Sequence, residues 1–195
     1  MKIKKSPSTI KSIPEISSDI IIAGEGGHGV QKIGEIIAHT AFSVGLQATY
    51  IPNFTVQQRG GVSIAFVRIS NQPIIYPKFN KANLAVILSG RSIEHVEKVI
   101  TNQTTIINNS TLSNPILFKN IKYKTLNSIP ATALGKKIGP RSFNMIMLGK
   151  IIHDIKILKF EDIENEVTNI FKSKYSTNPE LKEQNNKALK IGYEL

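Results

Sequence analysis

The residues whose spacing most suggests chemistry are Gly24-Glu25-Gly26-Gly27-His28-Gly29. An apolar run, Ile20 to Ala23, precedes them and an amphipathic stretch follows, so they read as a strand-to-helix turn. In that setting glycines allow a tight turn and close backbone approach, and the helix N-terminus faces an anion. Read literally, the stretch is a G-x-G-x-x-G, the pattern of a dinucleotide loop. An NAD site also requires an acid about 20 residues on to hold the ribose hydroxyls. Here the second strand ends in Pro52-Asn53-Phe54, and no Asp or Glu lies between Glu35 and Glu94. That argues against an ordinary NAD site. It leaves open an NADP variant, in which a basic residue replaces the acid, and a turn that presents backbone amides to a partner or simply permits packing. The Walker lysine–serine pair is absent. His28 is the one imidazole in the turn, and no Ser/His/Asp or Cys/His set assembles around it.

Composition narrows the classes further. The 195 residues carry a formal charge of +11, with 41% hydrophobic and 20% charged residues, as in ordinary globular domains. Most of that charge is lysine, since the arginines are Arg59, Arg68, Arg91 and Arg141. Lysine scattered among isoleucine and asparagine fits a compositional bias first, and a surface for acidic subunits or polyphosphates second. No recognition-helix, RNP or zinc-finger pattern accompanies it, so no specific nucleic-acid partner is expected. The chain contains no cysteine. It therefore supplies no thiolate for zinc or for an iron–sulfur cluster, and it suits a reducing cytoplasm. No apolar run reaches the roughly 18–20 residues of a membrane span.

Along the chain, residues 1–18 are Lys/Ser-rich with two prolines and are expected to form a flexible basic arm, with one folded domain over 19–195. Periodicity predicts strands at 20–23, 47–51, 62–69, 84–88, 104–107 and 121–125. It predicts helices at 29–44, 92–100, 130–137, 142–154, 161–172 and 180–190. Strands alternating with helices imply an α/β fold: a Rossmann-like open sheet, mostly parallel, with helices on both faces. The stretch around Ser70-Asn71-Gln72-Pro73 suggests an added hairpin. Arg68 alternates along its strand and is expected to be solvated or at an interface.

A second motif, Gln58-Arg59-Gly60-Gly61-Val62-Ser63-Ile64-Ala65-Phe66-Val67-Arg68-Ile69-Ser70, follows the glycine turn, with Pro77 shortly after. Downstream stand Asn144-Met145-Ile146-Met147-Leu148-Gly149, then Asn185-Asn186-Lys187-Ala188 with Gly192-Tyr193. Together, in this order, they resemble the gamma subunit of the 2-oxoacid:ferredoxin oxidoreductases of pyruvate, 2-oxoglutarate, branched-chain and indolepyruvate type. The resemblance covers about 19–195. It departs at His28, where the family usually has glutamine, and at Asn83, often aspartate. The segment Pro52-Asn53-Phe54-Thr55-Val56 also lacks a glycine that many members carry.

The resemblance implies an oxidoreductase subunit that is inactive alone. Its complex decarboxylates a 2-oxoacid on thiamine diphosphate with Mg²⁺, passes electrons through iron–sulfur clusters to ferredoxin, and transfers the acyl group to coenzyme A. The implied partners are thiamine-binding alpha and beta subunits and a ferredoxin-like subunit or ferredoxin. The candidate cofactor-binding residues are Gly26, Gly27, His28, Gly29, Arg59, Gly60, Gly61 and Asn144, at an entrance for coenzyme A, with direct contact to it left open. Gly60 and Gly61 are expected to permit backbone approach and a turn rather than to touch ligand themselves. Arg59 is the candidate for a charge-assisted bond to phosphate or to a partner carboxylate; an internal ion pair is its competing role. For Asn144 the competing role is a cap or core hydrogen bond. No catalytic residue and no metal ligand is assigned. The alternative reading is an orphan Rossmann-like module for an anionic nucleotide such as NADP.

Overall fold

A computed structural model describes residues 15–54, 61–140 and 142–195, with the side chain of Phe54 left out. The apolar run after Asp19 lies in the centre of β1 (Ser17–Glu25), where Ile20, Ile21, Ile22 and Ala23 are all buried. Burial on both faces follows from alternation. Ile20 and Ile22 enter one core, and Ile21 and Ala23 enter a second core on the opposite face. The strand begins at Ser17, so Ser17 and Ser18 belong to the sheet rather than to the arm.

After β1 come α1 (Val30–Ser43), β2 (Gln47–Phe54), β3 (Val62–Ser70), β4 (Leu84–Ile87), β5 (Thr105–Asn109) and β6 (Thr125–Ile129). They form a six-stranded sheet in the order β2-β3-β1-β4-β5-β6. β4, β5 and β6 extend the sheet in parallel from β1. β3 is antiparallel to both β1 and β2, and it is the strand that runs against the rest. The sheet is open, mixed and mostly parallel, as the alternating pattern predicted.

Helices cover the two faces differently. α1, α3 (Phe143–Ile155), α4 (Phe160–Ile170) and α6 (Pro179–Glu194) pack on the face of Ile20 and Ile22, where α2 (Ala131–Gly135) also contributes Ala131. The short α5 (Lys172–Thr177) links α4 to α6. The other face is closed by Phe79, Ala82, Phe118 and the 3-10 helices Gly90–His95 and Glu97–Val99. Thus the helix expected over 92–100 is present as two 3-10 segments.

Two further expectations are corrected. No hairpin follows Ser70: residues 71–83 contain no strand, and the chain turns back to the start of β1. There the Asn71 N–H donates to the Ile16 carbonyl at 2.9 Å, and the Ile16 N–H donates to Asn71 Oδ1 at 3.0 Å. The antiparallel pairing forms instead between β2 and β3. The last strand is 125–129, not 121–125; Ile121 and Tyr123 reach the second core from the loop before it.

The two downstream motifs fit together as one helix–helix contact. An added Cβ on Gly149 of α3 would collide with the Leu189 carbonyl of α6, and one on Gly192 would collide with the Ile146 carbonyl. Absent side chains let these backbones approach closely. Nearby, buried Asn185 donates from Nδ2 to the Tyr175 hydroxyl at 2.9 Å. At the other side of α3, Lys150 Nζ lies 2.8 Å from Asp154 Oδ1, and Asn127 of β6 donates to Asp154 Oδ2 at 2.8 Å. α3 is therefore held on two sides, and its N-terminus is fixed in place.

Candidate functional site

The chain leaves β1 for β2 and β3 on one side of the sheet, then crosses to β4 on the other. The crevice beyond the carboxyl ends of β1 and β4 is thus a topological switch point, the place where open α/β sheets bind ligands. Its walls are the turn Gly24–Gly29 and the segment Ser89–Arg91. The Leu88 N–H donates to the Ala23 carbonyl at 2.8 Å, which keeps the two strand ends paired up to the crevice.

The glycines of the turn have separate physical reasons. Gly27 and Gly29 adopt φ values of 91° and 81°, the left-handed region that favours glycine. Gly29 is also crowded: a Cβ there would lie 2.6 Å from Asn144 Nδ2. It is the N-cap of α1, with no side-chain cap and no acid in the first turn. Both features leave the positive end of the helix dipole uncompensated. The Gly26 N–H donates to the Gly61 carbonyl at 3.1 Å, so the second motif reaches back to the first. The amides of Gly27 and Gly29 make no hydrogen bond among the described residues.

His28 is folded into the turn. Its N–H donates to the Glu25 carbonyl at 3.1 Å, and its Nδ1 accepts from the Glu25 N–H at 3.3 Å. That geometry requires a neutral ring with the proton on Nε2. The ring meets Phe143 edge-on, with centroids 5.7 Å apart. Burial lowers its pKa below the ordinary histidine value, against the opposing pull of Glu25. His28 is therefore a turn-locking residue in this arrangement.

Of the residues singled out in the sequence, Gly26, Gly27, His28, Gly29, Gly61 and Asn144 come together at the switch point. Arg59 and Gly60 lie outside the described residues. Asn144 does not cap α3. Its amide makes no hydrogen bond to a described residue and packs against Gly29. Arg68 is partly exposed but not free: its guanidinium donates to Asp19 through two bonds of 2.5 and 2.6 Å, and to the Tyr76 carbonyl at 2.6 Å. The hydrogen bonds it donates to Asp19 raise its pKa against desolvation. Asn83 has a structural task, accepting the Asp19 N–H on Oδ1 at 2.8 Å. Arg91 was not selected from the sequence. It stands just beyond β4, its side chain 68% exposed, and reaches Glu25 Oε2 at 3.2 Å across the crevice. The signal for it was positional: a cation directly after a strand that ends at the switch point.

The residues do not fit the redox groups. Among the described residues no three His, Cys, Asp or Glu side chains gather to hold a metal ion. Without cysteine the chain offers no thiolate to an iron–sulfur cluster. No helix of the described residues is long and apolar enough to cross a membrane.

Residues 19–195 match the family profile described as pyruvate ferredoxin/flavodoxin oxidoreductase. The chain belongs to this family. It is 28% identical over 177 residues to the pyruvate/ketoisovalerate oxidoreductases common subunit gamma of Pyrococcus furiosus, covering 88% of this chain and 92% of that one. Among solved structures, the fold matches pyruvate oxidoreductase subunit PORC of Thermotoga maritima with a TM-score of 0.76 at 19% identity, covering 91% and 96% of the two chains. It also matches the 2-oxoglutarate:ferredoxin oxidoreductase of Magnetococcus marinus with a TM-score of 0.77 at 22% identity, covering 90% of this chain and 30% of that longer one. The chain is a gamma-type subunit of the 2-oxoacid:ferredoxin oxidoreductases, and so part of an enzyme complex.

Proposed function

We propose that this gamma subunit packs its switch-point crevice against thiamine-binding alpha and beta subunits and helps form the entrance used by coenzyme A. The observation that carries the reading is the convergence of Gly27, Gly29, Asn144 and Arg91 on the crevice. Backbone amides without a partner among the described residues, a helix N-terminus with no side-chain cap and an exposed guanidinium suit a phosphate-bearing ligand. The absence of Asp and Glu between Glu35 and Glu94 keeps much of the flanking chain free of repelling charge. The Magnetococcus enzyme is described with 2-oxoglutarate, coenzyme A and succinyl-CoA bound, which supports the ligand class.

In such a complex the partner subunits hold thiamine diphosphate, Mg²⁺ and the iron–sulfur clusters, which together supply decarboxylation and electron transfer to ferredoxin. This chain's residues bind and orient. Backbone amides of the turn hold the anion, and Arg91 exchanges Glu25 for a phosphate oxygen. Asn144, already beside Gly29 and without a hydrogen-bond partner among the described residues, supplies an amide hydrogen bond to the ligand. Arg59, Gly60 and Gly61 belong to the same entrance, with Arg59 the second cation.

The test is the steady-state kinetics of the reconstituted complex with Arg91→Ala. The KM for coenzyme A should rise several-fold while kcat changes little. An unchanged KM would remove Arg91 from the entrance. Calorimetry addresses the nucleotide-module reading: tight NADP binding by the isolated chain, with no coenzyme A binding by the complex, would favour that module instead.

A further inference from the structure

Beneath one wall of the crevice lies a group of buried polar side chains that the described residues do not satisfy. Ser89, two residues beyond β4, is 2% exposed, Asn108 of β5 is fully buried, and Ser113 is 2% exposed. Ser89 Oγ, Asn108 Oδ1 and Ser113 Oγ each lack a hydrogen-bond partner among the described residues. Leaving such atoms dry costs the full desolvation penalty of each, so native interiors pair them with protein or with ordered water.

The three atoms share one region. Ala85 and Ile87 of β4 face the second core, and so does Ile106 of β5. Alternation places Ser89 and Asn108 on that same face. The register pairs Ile87 with Asn108, and Ser89 follows two residues beyond β4 in extended backbone, diagonal to Asn108. Ser113 closes over them: the Gly90 N–H donates to the Leu112 carbonyl at 3.0 Å, and Asn108 Nδ2 donates to the Ser113 carbonyl at 2.9 Å. That last bond also fixes the Asn108 amide. Rotating it would set Oδ1 against the Ser113 carbonyl, so Oδ1 must point away from that carbonyl.

We propose that Ser89, Asn108 and Ser113 enclose a binding site for a single water molecule. A water donates one proton to Asn108 Oδ1 and the other to a serine oxygen, and accepts from the remaining hydroxyl. It thereby meets the two to four polar partners a buried water requires. None of the three side chains is charged, which selects a neutral ligand over an ion. The water ties the end of β4 and the turn after β5 together. The 3-10 helix Gly90–His95 begins at this point, anchored by the Ser92 N–H and hydroxyl on the Ser89 carbonyl at 3.2 and 2.7 Å. The site therefore holds the segment that carries Arg91.

A crystal structure of the chain at a resolution that shows ordered solvent tests the assignment. Density for one water within hydrogen-bond reach of all three oxygens is expected. Empty density, a metal ion, or a direct Ser113 Oγ to Asn108 Oδ1 bond would overturn it. Thermal unfolding of Ser89→Ala and Ser113→Ala gives a second reading by sign. With the water present, each variant removes a partner of an ordered network, and Tm falls by a few degrees. In a dry site each variant removes an unpaired buried hydroxyl, and Tm rises; that result would refute the proposal even if one variant folded poorly.

Discussion

Replacing Gly192 by alanine sets two physical effects against each other, and the structure decides the sign. In a helix interior, alanine is favoured over glycine by about 0.8–1 kcal/mol. Gly192 lies in the last turn of α6, so propensity alone predicts that Gly192→Ala stabilises the helix by up to that amount. In the fold the new methyl would meet the backbone of Ile146, with the carbonyl oxygen, carbonyl carbon and Cα all crowding it. Backbone cannot rotate away as a long side chain can, so α3 and α6 must separate. Overpacking of this kind costs roughly 1–3 kcal/mol, and rigid backbone on one side puts this site at or beyond the upper end. Subtracting the propensity gain leaves a net loss of about 2 kcal/mol. For a chain of this size that lowers Tm by roughly 4–8 °C at 2–4 °C per kcal/mol. The assay is calorimetric or circular-dichroism unfolding of both proteins in one buffer. A rise in Tm of the size propensity predicts would refute the close α3–α6 contact. It would also undercut the site, since α3 carries Phe143 and Asn144 to the glycine turn.

Other substitutions probe the site and its supports. His28→Gln should flatten the pH dependence of stability: burial lowers the folded pKa, so the unfolded chain takes up a proton first as pH falls below about 6.5, and the wild type loses stability there while the variant does not. Equal slopes of unfolding free energy against pH would contradict the neutral, turn-locked ring. Asp19→Asn leaves Arg68 partly buried without its counter-charge and should cost about 1–3 kcal/mol in denaturant unfolding, short of the fully buried case because both side chains keep some exposure; a change below about 0.5 kcal/mol would show that the pair is not structural. Asn144→Ala removes no hydrogen bond to a described residue, so Tm should move by less than about 2 °C, while the KM of the reconstituted complex for coenzyme A rises. A large Tm loss with unchanged kinetics would make Asn144 a packing residue only.

What the sequence disclosed and what it hid follow from the range of the forces involved. The glycine turn was legible because positive φ at Gly27 and Gly29 is a local backbone demand that residue type records directly. The buried centre of β1 was legible for the same local reason, a continuous apolar run. The placement of β3 between β1 and β2 was not, because pairing partners far apart in sequence leave no trace in the period of either strand. Arg68 shows the same limit: its alternation was readable, but its partner Asp19 lies 49 residues earlier. The motif Asn144-Met145-Ile146-Met147-Leu148-Gly149 looked like one unit, yet its ends do different work. Gly149 admits α6, and Asn144 meets the turn. Arg91 escaped notice because nothing in its neighbours marks it; its meaning comes from the strand order that makes β4 one side of the switch point.

The central claim is that this chain works as the gamma subunit of a coenzyme A-dependent 2-oxoacid oxidoreductase. The most direct measurement is 2-oxoacid-dependent viologen reduction by thiamine-binding and cluster-binding subunits from the same source, with and without this chain. Negligible reduction by the chain alone and by the partners alone, restored when the two are mixed in the presence of coenzyme A, is the predicted result. Full-rate reduction by the partners without residues 19–195 would contradict it.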